Sequence, residues 1–179
     1  MNRFLIMSSH KIWIVGILLV TLCVTSCSKK ESNTDLGDYS SYLGDYSYNA
    51  SISAMVYEDM EGETEGAGVQ YRVVTDLSKL IAASPIPVCL YFYSGMSVDA
   101  GQTTAKIENM EEDYHDSILF VSIDAIQEEE LVAEFSIEAL PDFVIVDDGV
   151  VKASFASTDG QTWTDDELRD WVLENAGVS

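Results

Sequence analysis

Thiols and imidazoles are few in this 179-residue chain. Cysteines stand at 23, 27 and 89, and the two histidines are His10 and His115. The densest reactive run is Cys89-Leu90-Tyr91-Phe92-Tyr93-Ser94-Gly95-Met96-Ser97-Val98-Asp99-Ala100. Ser94 and Ser97 could attack a carbonyl only with a base in hydrogen-bond reach, and no histidine is near them in sequence. His115 falls near a helix end, where a solvent-facing ring is expected. Cys89 lies four residues before Tyr93, roughly 13 Å along an extended strand from the loop. An inert core thiol is therefore expected there. The inventory cannot build a Cys/His metal cluster. The acidic runs Glu111-Glu112-Asp113 and Glu128-Glu129-Glu130 lack the ligand spacing and central glycine of a calcium loop. They read as solvated helix faces, and neither metal nor cofactor is expected.

The elements that position this loop follow from periodicity and punctuation. Val69 to Val74 alternates as a strand, and Thr75-Asp76 supplies cap chemistry for a helix through Ala83. Ser84-Pro85-Ile86-Pro87 breaks that helix. Val88 to Tyr93 is a near-continuous apolar run of the kind buried on both faces of a sheet. Ala100 to Tyr114 reads as a helix, Ile118 to Asp124 as a strand, and Glu128 to Phe135 as a short helix. Phe143 to Val146 and Val150 to Phe155 flank Asp147-Asp148-Gly149, a hairpin signal. Thr164-Asp165-Asp166-Glu167 fits a capping box. It opens a helix with Leu168, Trp171, Val172 and Ala176 on one face. The order β-α-β-α-β-α-β-β-α predicts parallel pairing of the first strands and an antiparallel final hairpin.

From Val69 to Val178 the chain resembles the thioredoxin family. Phe92-Tyr93 matches the aromatic pair before that family's redox loop. Ile137-Glu138-Ala139-Leu140-Pro141 matches the segment carrying its cis-proline. The resemblance implies an α/β thioredoxin-like fold, a central mixed sheet of four to five strands flanked by helices. It also implies that Ser97 and Ala100 occupy the two positions of the Cys-x-x-Cys motif. Disulfide exchange needs a thiolate and a second sulfur, which a hydroxyl and a methyl do not supply. The family's buried aspartate matches Tyr91, and its companion lysine matches Phe120. By this resemblance nucleophile, resolving thiol and proton relay are lost together.

The N-terminus predicts a location. Arg3 and Lys11 precede an apolar run, Ile12 to Val24, shorter than the roughly 20 residues of a membrane-spanning helix. It ends in Val24-Thr25-Ser26-Cys27, which resembles a bacterial lipobox with Cys27 as the lipidated residue. Residues 1–26 are thus expected to be a lipoprotein signal peptide, with translation starting at Met1 or Met7. Residues 27–68 are expected to form an acidic tether rich in Gly, Ser and Tyr, with the duplicated runs Leu36–Ser40 and Leu43–Ser47. A short element over Ile52–Tyr57 is allowed within it. The domain is expected over 69–179.

Charge limits the partners. All 31 acidic residues follow Cys27, with seven of the nine basic ones, so the mature chain carries 7 − 31 = −24. Nucleic acid is excluded, because phosphate binding needs Lys and Arg to replace counterions. The expectation is a lipid-anchored, non-enzymatic module on the extracytoplasmic face of a bacterial membrane. It would bind an envelope or secreted protein or peptide along Met96, Ser97, Val98, Asp99, Leu140 and Pro141. Asp99 would favour basic residues. The alternative is a thiol-oxidoreductase-related enzyme working through Cys89 or Ser97.

Overall fold

A computed structural model of the chain describes residues 37–59, 66–97, 99–156 and 163–179. The expected signal peptide, Cys27, the tether up to residue 36, and Val98 lie outside the described residues. A short 3-10 helix, Gly37–Tyr42, is followed by seven strands and four helices. These are β1 Leu43–Tyr46, β2 Ile52–Asp59, β3 Ala67–Val74, α1 Leu77–Ala83, β4 Val88–Tyr93 and α2 Ala100–Tyr114. Then come β5 Leu119–Asp124, α3 Glu129–Glu134, β6 Asp142–Asp147, β7 Val150–Ala156 and α4 Asp165–Ala176. Among the described residues no helix is long and apolar enough to cross a membrane.

The strands form one sheet in the order β1-β3-β2-β5-β4-β6-β7. Its interior strands carry apolar residues at odd and even positions alike, so both faces need cover. On one face Ala54, Val56, Leu90, Phe92, Val121 and Val144 pack with Leu77 and Leu80 of α1. On the other, Met55, Cys89, Tyr91, Phe120 and Phe143 meet Ile107 of α2 and Leu168 and Val172 of α4. Helix starts follow the sequence closely. Asp76 accepts from the Lys79 backbone N–H at 3.0 Å. Thr164 and Glu167 complete the reciprocal capping box of α4. Asp148 and Gly149 both have positive φ, 52° and 71°, which fits the tight turn between β6 and β7.

Three expectations about the sheet need correction. Among the described residues the sheet has seven strands rather than four or five, and only β4 and β5 pair in parallel. The cause lies in residues 37–59, read above as part of a tether. Here β2 inserts between β3 and β5, antiparallel to both. Its Ala54, Met55 and Val56 are buried, so β3, the first strand of the expected order, never touches β5. Tyr39 is buried against the same core. The segment thus belongs to the domain, and the boundary expected at Gly68 moves into the N-terminal region.

Glu111 was read as part of a solvated helix face, and the structure buries it to 2% exposure. The β2–β5 ladder ends at Met55–Phe120. Beyond it, the Glu111 carboxyl accepts the backbone N–H groups of Phe120 and Tyr57, while Oε2 has no partner. Burial outweighs those bonds and pushes its pKa up to about 8. His115 is also more enclosed than expected: its ring lies 5.0 Å from that of Tyr57, and Nε2 pairs with Asp116 at 3.6 Å.

Two outcomes follow. A chain beginning at Val69 lacks β1 and β2, baring the β3 and β5 edges and the apolar residues that β2 covers. It is expected to show no cooperative thermal unfolding by circular dichroism, whereas a chain beginning at Ser32 melts in one transition. Because Glu111 binds its proton more tightly when folded, stability is full below the unfolded value near 4.5 and falls as pH rises towards 8. Chemical denaturation should show that decline, at most about 1.4 kcal/mol per pH unit, and Glu111→Gln should flatten it.

Candidate functional site

The apolar run of β4 stops at Tyr93, and the chain turns before α2. The Ser97 backbone N–H donates to the Ser94 carbonyl at 3.0 Å, and that of Ala100 to the Ser97 carbonyl at 3.3 Å. Two successive turns therefore carry the chain from strand to helix. Opposite them, β6 runs antiparallel to β4 with Phe92 facing Asp142. That register brings the residues just before β6 beside the turn. The Leu140–Pro141 peptide bond is cis, the form implied by the resemblance.

Between the two segments lies a shallow, open groove. Ser97, Asp99 and Ala100 line one side, Leu140 and Pro141 the other, and half-buried Tyr93 contributes aromatic surface, with Tyr91 buried at the base. Five of the residues singled out in the sequence are thus brought together. Met96 is not a lining residue; it projects beside the groove at 86% exposure. Val98 lies outside the described residues.

The chemistry available in the groove is limited. Tyr91 stacks on Tyr93 and Phe143 at centroid distances of 5.4 and 5.2 Å. Its hydroxyl lies 3.4 Å from that of Thr104. Burial pushes the Tyr91 phenol up to about 12 and raises that of Tyr93, where the Asp124 charge adds to the effect. Neither can serve as a base near neutral pH. Ser97 has no side-chain partner that could activate it among the described residues. Cys89, the free cysteine of the described residues, is fully buried under α2 and α4. Burial pushes its thiol well above the ordinary range. No group of three or more metal-binding side chains comes together among the described residues.

Asp99 is the informative acid of the site. It occupies the N-cap position of α2, yet its carboxylate makes no cap hydrogen bond. Asp76, at the same position of α1, both caps its helix and pairs with Lys79 at 2.7 Å. Sequence reasoning missed Thr103, which lines the groove from α2 and is 6% exposed. It also missed Asp142, buried directly after Pro141. That carboxylate accepts from the Ser154 hydroxyl at 3.2 Å, and burial raises its pKa. A charged residue opening an otherwise apolar strand was the available signal.

Iodoacetamide should leave Cys89 unmodified in the native protein and label it fully in denaturant, read by intact mass. Native labelling at the rate of an exposed thiol would show that the β4 face opens.

The thioredoxin family model matches residues 69–174, more than half of the chain. Similar solved structures include the germline-specific thioredoxin Deadhead of Drosophila melanogaster, 19% identical over 50% of this chain and 80% of that one, with a TM-score of 0.45. Thioredoxin NaTrxh of Nicotiana alata is 17% identical over 56% and 82%, with a TM-score of 0.48. The oxidised thioredoxin of Plasmodium falciparum is 14% identical over 56% and 89%, with a TM-score of 0.47. Comparison with curated proteins gives no match. On the family model's coverage, this chain belongs to the thioredoxin family.

Proposed function

We propose that the chain is a thioredoxin-like module that binds an extended protein or peptide segment without dithiol chemistry, held at a bacterial membrane through Cys27. The observation that carries the reading is the composition of the groove. Opposite Leu140 and Pro141 stand a serine hydroxyl and an alanine methyl, at Ser97 and Ala100. A disulfide brought there would meet no thiolate and no resolving sulfur. What the groove does offer is apolar surface beside Leu140 and Pro141, just ahead of β6, against which an extended segment would lie. The enclosed position of Cys89 weighs against a thiol mechanism, and among the described residues no base stands beside Ser97, which weighs against a hydrolase.

Insulin reduction by dithiothreitol should proceed at the uncatalysed rate in the presence of the purified protein. Introducing both thiols, Ser97→Cys with Ala100→Cys, should create measurable turnover. Catalysis by the unaltered chain would sink the non-redox reading. In a pull-down from envelope extract, Leu140→Ser should reduce recovery of bound protein several-fold. Equal recovery would remove the groove from the proposal.

A further inference from the structure

Every basic side chain of the described domain is already engaged with an acid. Arg72 pairs with Glu58 at 4.0 Å, Lys79 with Asp76 at 2.7 Å, and Lys106 with Asp165 at 2.6 Å. Lys152 pairs with Asp147 at 3.6 Å, and Arg169 with Asp166 and Asp170 at 2.9 Å each. From Gly37 to the C-terminus the sequence holds no other lysine or arginine. None of these five lines the groove. Asp99 lines the groove with neither a cap bond nor a counter-ion among the described residues. Glu138 is exposed two residues ahead of Leu140. The negative field at this end of the sheet is therefore uncompensated from within the described domain.

The same end of the sheet displays apolar side chains in the open. Met96 follows β4, at 86% exposure, and Leu140 precedes β6 at 37%. Ile126, at 56%, follows β5, where the Ala125 backbone N–H donates to the Tyr93 carbonyl at 2.9 Å. Three large apolar residues are thus exposed at the ends of three neighbouring strands.

Resting on the reading that the groove takes an extended segment, we propose that this segment is cationic and amphipathic. Its apolar side chains would lie on Met96, Ile126 and Leu140, and lysine or arginine would meet Asp99 and Glu138. An acidic segment would bring like charges together where no cation of the described domain is free to offset them. A neutral one would leave the Asp99 carboxylate covered and unpaired. Both cost binding energy, so the charge pattern selects as well as attracts.

The test uses the full mature chain and three labelled 12-residue peptides, with Leu or Val at alternate positions and Lys, Gln or Glu between them. Fluorescence anisotropy at near-physiological salt reads the affinities. The Lys peptide is expected to bind about tenfold more tightly than the Gln peptide, and the Glu peptide not to bind. Asp99→Asn with Glu138→Gln should weaken the Lys peptide by roughly fivefold. Asp113→Asn with Asp116→Asn, which removes as many charges at the other end of α2, should leave its affinity unchanged. Equal affinity of the Lys and Gln peptides would overturn the charge assignment and keep the groove as a peptide site. Equal losses from the two double variants would overturn it in favour of diffuse attraction. Failure of all three peptides to bind would overturn this inference and the peptide-binding reading together.

Discussion

The structure depends on one strand that tolerates water on neither face. From Val88 to Phe92, β4 has no exposed residue, and its odd and even positions serve two separate apolar clusters. Such a strand is stable only with a paired neighbour on each side and helices above and below. β5 and β6 supply the pairing. α1, α2 and α4 supply apolar cover. The position of the groove is a by-product of this demand. β4 must end where its apolar run ends, at Tyr93, and the β4–β6 register sets Leu140 and Pro141 beside that end.

The legible parts of the chain were those in which one physical signal covers a whole element. Val88–Tyr93 is a continuous apolar run, Ala100–Tyr114 has helical spacing, and Thr164 with Glu167 writes the start of α4 in polar atoms. Each appears in the structure within a residue or two. β2 was legible as a short element over Ile52–Tyr57, but its membership of the domain was obscured by its surroundings. Its apolar core, Ile52 to Val56, sits in a stretch otherwise filled with Gly, Ser, Tyr and acids, and composition averaged over forty residues reads as tether. Nor can local pattern reveal that β2 inserts between β3 and β5, since that choice is made by partners distant in sequence. Glu111 failed for a related reason. Neighbouring Glu112 and Asp113 are exposed, and helical geometry turns only one of the three inward.

The candidate site was legible to about the same depth. Ser97, Asp99, Ala100, Leu140 and Pro141, from two segments about forty residues apart, line one groove. The behaviour of the Asp99 carboxylate was not legible. An aspartate ahead of a helix predicts a cap, and Asp76 makes one where Asp99 does not. Thr103 was invisible because its importance comes from burial beside the groove and not from any motif, whereas Asp142 left a signal as a charge opening an apolar strand.

The order of strands also sets a route for mechanical load. Whatever precedes Gly37 joins the domain next to β1, at one margin of the sheet, and β4 lies four strand spacings away, about 19 Å. A pull between the N-terminal segment and a partner gripped at the groove would cross β3, β2 and β5 sideways, loading their hydrogen bonds in turn. The first joint in that path is reinforced. Arg72 Nε donates to the Gly44 carbonyl at 3.1 Å, and the Thr75 hydroxyl and backbone N–H both reach the Tyr42 carbonyl, at 3.0 and 2.9 Å. The margin strand is thereby riveted by side chains as well as by its ladder, and tension would meet those side chains before reaching the strands that shape the groove.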